Sequence, residues 1–391
     1  MKVWRRHHEP PQSHFFMENW ILNDIISFFI SLLLAGIIIP QILLIAFRKK
    51  LFDEIDERKI HKGVVPRLGG IAFFPSILFS VALVVGFSIK AHGWEVAQYY
   101  NEGVVPFYFM ICAVLLMFLV GIADDLIGVK YIAKFVVQIL ASILIVCSGW
   151  YIDNFYGFLW IHEIYPWIGW LATTFMVVYV VNAINLIDGI DGLASGLSTV
   201  AFVFYSIIFY FAGEYAYSML AAAGAGTLLP FFYYNVFGKA HKRKKIFMGD
   251  TGALTTGMIL IFCAIDMLHL GDVPVALDYN PVILGLSPLL IPLFDVVRVY
   301  IHRVVRHHNP FLPDKSHIHH KLLALGFNQR IALIVIMFWA MFFIVINLLL
   351  SSYINPTFII IADILIWTLV NFVLSKLIAQ REARLGKTLF D

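Results

Sequence analysis

Four short polar blocks interrupt an otherwise apolar chain, and each carries side chains suited to phosphate or a divalent cation. The densest runs Asn182-Ala-Ile-Asn185-Leu-Ile-Asp188-Gly189-Ile-Asp191-Gly192. Its polar side chains recur every third position, so on a helix they share a face and could line one wall of a cavity. Gly189 and Gly192 let the backbone leave helical geometry there. Carboxylates at membrane depth cost several kcal/mol, which makes them functional by default. The alternative for this block is an interhelical hydrogen-bond cluster. In Gly121-Ile-Ala-Asp124-Asp125 the adjacent carboxylates repel unless a cation or proton lies between them. Mg²⁺ takes carboxylate oxygens together with phosphates, and Lys134 lies within reach of either. A hydrated helix end is the plainer reading of this pair. Phe247-Met-Gly249-Asp250-Thr-Gly252 opens another apolar segment. There a helix N-terminus favours an anion, or Asp250 caps the helix. The last block spans Arg303 to His320 and ends His317-Ile-His319-His320. Histidine and arginine together can hold diphosphate oxygens. Zinc is the rival ligand, but no cysteine is near and HxHH aims neighbouring side chains in poorly compatible directions. An amphipathic loop without a ligand is the remaining reading.

These blocks need apolar elements to position them. Of 391 residues, 61% are hydrophobic and 14% charged, against roughly 25% charged in soluble proteins; mean hydropathy is +0.84. At roughly 20 apolar residues per bilayer-spanning helix, the chain accommodates about eleven spans. They lie near 22–47, 69–89, 106–123, 132–150, 166–186, 196–212, 217–237, 252–270, 281–301, 331–351 and 356–379. The expected fold is an all-α polytopic membrane protein. It has an N-terminal tail (1–21), a single multi-span domain (22–380) and a C-terminal tail (381–391). The first apolar segment is too long for a signal-peptide core and is read as retained. Cys112, Cys147 and Cys263 form no metal or disulfide spacing and read as buried small hydrophobes.

Alternate loops divide the charge unevenly. The set 48–67, 121–134, 187–195, 238–251, 298–330 and the C-terminal tail holds 23 of the 28 Lys and Arg residues, and Lys376 at the same end of the last span makes 24. The positive-inside rule places that set in the cytoplasm, the N-terminus outside and the C-terminus inside. Arg5 and Arg6 in the N-terminal tail run mildly against it. All four polar blocks then fall on one face, where a soluble cytosolic substrate can meet a lipid. The basic loop from Arg58 through Lys62 to Gly70 joins the first two spans on that face. Lys242 to Lys245 read as a positive-inside run contacting lipid headgroups.

Taken together and in order, these five loops resemble the polyprenyl-phosphate N-acetylhexosamine-1-phosphate transferases, over about residues 48 to 330. The Pro-Phe-x-Pro-Asp-x-x-His-Ile-His-His form of the last loop is similar to the undecaprenyl-phosphate GlcNAc-1-phosphate transferase branch. The resemblance implies transfer of a sugar-1-phosphate from a UDP-N-acetylhexosamine to undecaprenyl phosphate with release of UMP. It further implies Mg²⁺, with Mn²⁺ a possible substitute, an active site facing the cytoplasm of a bacterial inner membrane, and a homodimer. Nucleic acid is not an expected partner. By position, Asp124 and Asp125 match the aspartate pair that positions or deprotonates the lipid phosphate. Asp250 matches the Mg²⁺-binding aspartate, with Asn185 as a second contact. Asp188 and Asp191 match the aspartates of the Asp-Gly-x-Asp-Gly step. Asp191 and Lys62 are associated with the uracil ring, and Phe247 is a stacking candidate. His317, His319 and His320, with Arg303, would bind the diphosphate and help choose the sugar. Lys134 would orient the lipid phosphate.

Other classes fit less well. A membrane prenyltransferase with DDxxD clusters fails at Gly128, four residues after Asp124. A CDP-alcohol phosphotransferase would want an arginine where Leu193-Ala194-Ser195 stands. A secondary transporter is the non-enzyme alternative, but no internal repeat is visible and the acids sit at the ends of spans rather than mid-membrane.

Overall fold

Segments that cross a bilayer must satisfy their own backbone hydrogen bonds, and this chain does so with helices. The computed structural model describes residues 14–51, 64–92, 104–270, 279–305, 307, 317–386 and 388–389, so Lys62 and loop residues 308–316 lie outside the described residues. Among the described residues there is no β-strand, only an isolated bridge between Asn154 and Glu163. The helices are α1 (His14–Lys49), α2 (Phe73–His92), α3 (Val104–Ile127), α4 (Tyr131–Cys147) and α5 (Pro166–Ile187). They continue with α6 (Leu193–Ala212), α7 (Tyr215–Val236), α8 (Gly249–His269), α9 (Pro281–Leu286) and α10 (Leu290–Val305). The last three are α11 (Ile318–Ala324), α12 (Gln329–Ser351) and α13 (Pro356–Leu385).

Local chemistry sets several boundaries. Pro166, Pro281 and Pro356 open α5, α9 and α13, where proline loses no helical hydrogen bond. Asn328 caps α12 by accepting the Ile331 N–H at 2.9 Å, and Asn355 caps α13 through Thr357 at 2.9 Å. Among the described residues, nine helical segments are long and apolar enough to cross a membrane. The other two expected spans are helices that fall short of that measure. α4 has only 17 residues. α7 is long, but its run of Ala and Gly with tyrosines and Asn235 lowers its hydropathy, and most of it is buried against protein. Cys112 and Cys147 are exposed rather than buried, and only Cys263 is enclosed.

α8 is the central pillar. Every residue from Thr251 to Leu268 is buried, because α3 and α5 pack along it, α9 and α6 cover more of it, and α1 packs on α7 behind. Small residues permit the close approach, as in other membrane helix pairs. A Cβ on Gly257 would lie 2.9 Å from the Cα of Val181 on α5. A Cβ on Gly70 would overlap the backbone of Gly252. Since backbone cannot rotate away as a side chain can, Gly70→Ala is expected to destabilise the protein by about 1–3 kcal/mol. The thermal midpoint of the detergent-purified protein reads this directly, and an unchanged midpoint would mean that the seam is looser than drawn.

Candidate active site

The site begins with a backbone seam. Phe247 N–H donates to Pro66 O at 2.9 Å, while Gly69 and Gly70 N–H donate to Phe247 O and Met248 O at 3.0 Å each. This fastens the 66–70 loop to the strand of chain that enters α8. Gly249 follows with φ +69, hemmed in by the Arg67 carbonyl and the Asp125 carboxylate; a side chain there would be strained and without room. The first N–H groups of a helix lack intrahelical acceptors, and here Asp125 of α3 supplies them from outside. Its Oδ1 accepts Asp250 N–H at 2.8 Å, and its Oδ2 accepts Thr251 N–H at 2.9 Å and the Thr251 hydroxyl at 2.6 Å. Asp125 is thus the N-cap of α8, contributed by a different helix, and both of its oxygens are engaged. Asp250 itself does not cap; its side chain is left for other partners.

Asp124 turns the other way. Its Oδ1 accepts Val129 N–H at 2.7 Å, closing the turn after α3, and its Oδ2 lies 3.3 Å from the Lys134 ammonium. Lys134 reaches Asp250 Oδ2 at 2.7 Å, and the Asn185 side chain lies beside Asp250. One ammonium therefore stands between two carboxylates, all three half-buried, with negative charge left over. Asp188, just past the end of α5, adds to it. Burial, then the nearby Asp191 and Asp250 carboxylates, raise the Asp188 carboxyl to about 7, while Arg67 opposes them. The surroundings thus favour a proton or another cation there.

Among the described residues, no group of three or more His, Cys, Asp or Glu side chains forms a ready-made metal cage. The oxygen donors of Asp250, Asp124 and Asn185 nonetheless suit Mg²⁺, which is held by one or two carboxylates together with substrate phosphates rather than by an all-protein cage.

The turn after α5 is built around two braces. Gly192, at φ +81, donates its N–H to Asn235 Oδ1 at 2.5 Å, and Asn235 donates onward to Ile246 O at 2.8 Å. Asp191 is paired with Lys245 at 2.5 Å, and the Lys245 ammonium lies 5.7 Å from the centre of the Phe247 ring. Asp191 and Phe247, expected near the base, are therefore neighbours joined through Lys245. Lys245 corrects the reading of the basic run, since it is buried beneath the site while Lys242, Arg243 and Lys244 are exposed. Asn182 is also corrected. It takes the interhelical alternative, pairing with Gln138 of α4 through reciprocal amide hydrogen bonds of 2.7 and 3.4 Å.

The histidine segment closes the site from the other side. His319 is buried against Gly189, whose position a Cβ could not occupy without meeting the imidazole. Burial, and then His320, hold His319 down to about 3, so its ring is neutral near pH 7. Among the described residues, neither of its nitrogens has a hydrogen-bond partner. His317 and His319 lie parallel, with ring centres 5.7 Å apart, and His320 follows at 4.2 Å from His319. Arg303 is buried at the end of α10. Sequence reasoning missed Lys245, Asn235 and the buried Asp295 of α10, which binds His317 at 2.9 Å. Lys245 stands two residues before Phe247, the only hint of its role. Asn235 and Asp295 lie inside apolar segments, where nothing local marks them.

A family model described as glycosyl transferase family 4 matches residues 107–268, from α3 to the end of α8. The chain is 30% identical over 339 residues to the probable undecaprenyl-phosphate N-acetylglucosaminyl 1-phosphate transferase of Bacillus subtilis (strain 168), covering 86% of this chain and 87% of that protein. It is 30% identical over 300 residues to the undecaprenyl-phosphate alpha-N-acetylglucosaminyl 1-phosphate transferase of Yersinia pestis, covering 75% and 74%. The protein of the same description from Escherichia coli (strain K12) is 28% identical over 321 residues, covering 81% and 80%.

Proposed function

Because the chain belongs to glycosyl transferase family 4, we propose that it transfers GlcNAc-1-phosphate from UDP-GlcNAc to undecaprenyl phosphate, releasing UMP and starting a lipid-linked polysaccharide. The observation that carries this reading is the Asp124–Lys134–Asp250–Asn185 cluster beside the Asp188–Asp191 turn at one end of a membrane bundle. A transporter is not favoured.

An oxygen of the lipid phosphate attacks the β-phosphorus of the donor. The bond from that phosphorus to the bridging oxygen breaks, and UMP departs with the electron pair. A phosphate monoester has its second pKa at about 6 and is mostly dianionic at neutral pH, so positioning outweighs proton removal. Lys134, held between Asp124 and Asp250, is placed to orient the attacking phosphate. Asp125 is committed to the α8 N-terminus, which argues against an aspartyl-phosphate on that residue and favours in-line displacement. Asp191, Lys245 and Phe247 form the pocket we assign to the uracil. Lys62 belongs to the same assignment by sequence alone. His319, neutral and with unspent nitrogens, would hydrogen-bond the diphosphate or sugar rather than supply charge; His317, His320 and Arg303 complete that wall. Mg²⁺, held by Asp250 with Asn185, would neutralise charge developing on the departing UMP. The Lys and Arg distribution supports a site facing the cytoplasm from a bacterial inner membrane. A homodimer is part of the same proposal, read by the mass of the detergent-solubilised protein.

The test is purified protein with undecaprenyl phosphate, Mg²⁺ and UDP-GlcNAc, assayed for UMP and for the lipid product by mass. UMP together with a GlcNAc-diphospholipid is the expected result. No product from any of a panel of UDP-N-acetylhexosamines would overturn it, and label uptake into sealed vesicles without lipid product would restore the transporter. UMP–UDP-GlcNAc exchange without lipid would replace in-line displacement with a phospho-enzyme.

A further inference from the structure

Asp295 lies on α10, fully buried, twenty-two residues before the first histidine of the motif. A lone buried carboxylate is expensive unless paired and hydrogen-bonded, and this one is saturated. Its Oδ1 accepts Arg298 Nη2 at 2.8 Å and Nε at 3.3 Å, together with the Ile318 N–H at 3.1 Å. Its Oδ2 meets His317 Nδ1 at 2.9 Å and the Ile318 N–H at 3.3 Å. The carboxylate therefore grips the motif twice, by the first imidazole and by the backbone that begins α11. An imidazole that gives its Nδ1 proton to a carboxylate has its tautomer fixed and its Nε2 left for other work. The parallel ring of His319 comes next, and that ring rests on Gly189 of the Asp188–Asp191 turn.

We propose that Asp295 is the positioning residue of the histidine motif: it fixes the His317 ring and the start of α11, and through them sets His319 on the Asp188-Gly189 step. It touches neither substrate nor metal. The inference rests on the proposed transfer reaction for its kinetic readout and on geometry for its other readout.

Asp295→Asn keeps the size and one acceptor but loses the charge. Losing a hydrogen bond to a charged group amounts to on the order of a tenfold to hundredfold change. The expected result is a fall of that size in kcat/KM, carried mainly by a higher KM for UDP-GlcNAc. Adding Asp295→Asn to His317→Ala should cause little further loss, because the two act as one unit. Independently of activity, the protein is treated with diethyl pyrocarbonate and its histidines are mapped by mass spectrometry. His319 should be protected in the wild type and labelled in Asp295→Asn, and labelled likewise in His317→Ala should Asp295→Asn fail to fold. Unchanged KM and unchanged protection would overturn the proposal, as would additive losses in the double variant. A wild-type protein that protects His319 but makes no lipid product would sink the transfer reading while leaving the positioning role standing.

Discussion

Asp250→Asn should lower lipid-product formation by on the order of a thousandfold, the scale set by removing a group that stabilises charge in phosphoryl transfer, and should leave the protein folded. Asp250 receives Lys134 at 2.7 Å, and it neighbours the Asn185 side chain and Asp124. An asparagine there can still accept from Lys134 and donate to Asp124, so the local network survives in outline. What it loses is a full negative charge and the hard oxygen donor that Mg²⁺ prefers. The loss should therefore appear as turnover without a matching drop in thermal midpoint, and added Mg²⁺ should not restore it. Near-normal turnover in this variant would remove Asp250 from the metal site.

Asp125→Ala should fail in the opposite manner. Alanine removes three hydrogen bonds at the start of α8 and leaves two part-buried N–H groups without their acceptor. Losing an N-cap costs about 0.5–2 kcal/mol, and buried donors left unsatisfied cost about 1–3 kcal/mol each. Some relaxation of the turn offsets this, and a net loss of about 2–4 kcal/mol is expected. Tryptophan fluorescence during heating gives the midpoint, and turnover should fall with it. An Asp125→Ala protein with the wild-type midpoint and no turnover would move Asp125 from architecture to chemistry. Together the two variants divide an adjacent aspartate pair, and the site around it, into parts that act on substrate and parts that hold them in place.

That division was invisible in the sequence, although the site's location was not. Apolar length marked the helices, and turn-forming glycines beside carboxylates marked the loops that meet at one end of the bundle. The partners across the fold were beyond reach. Nothing adjacent to Asp125 indicates that its acceptors serve a helix 125 residues downstream. Period-three spacing placed Asn182 with Asn185, but the helix ends at Ile187 and the wall is formed by a turn that the period does not describe. Lys245 was hidden among Lys242, Arg243 and Lys244, where composition suggests one common fate. Asp295 reads as one acid in an apolar run until folding brings His317 to it. Hydropathy overstated the uniformity of the spans, since most of α7 is buried against protein and only part of it needs a lipid-compatible surface.

The complete enclosure of α8 has a consequence for how the molecule is made. Its mean hydropathy is 1.7 against 2.8 for α12, and it carries Thr251, Thr255, Thr256 and Asp266 on a surface that no lipid touches in the finished bundle. Such a segment is poorly suited to wait alone in a bilayer. Of the helices packed on it, α2, α3, α5, α6 and α7 precede it in the chain and α9 follows, so most of them leave the ribosome first. By the time α8 is synthesised, its berth is nearly complete, and Asp125 already stands at the rim to receive its first N–H groups. Chain order is here an assembly order, with the least self-sufficient helix delivered into a prepared slot.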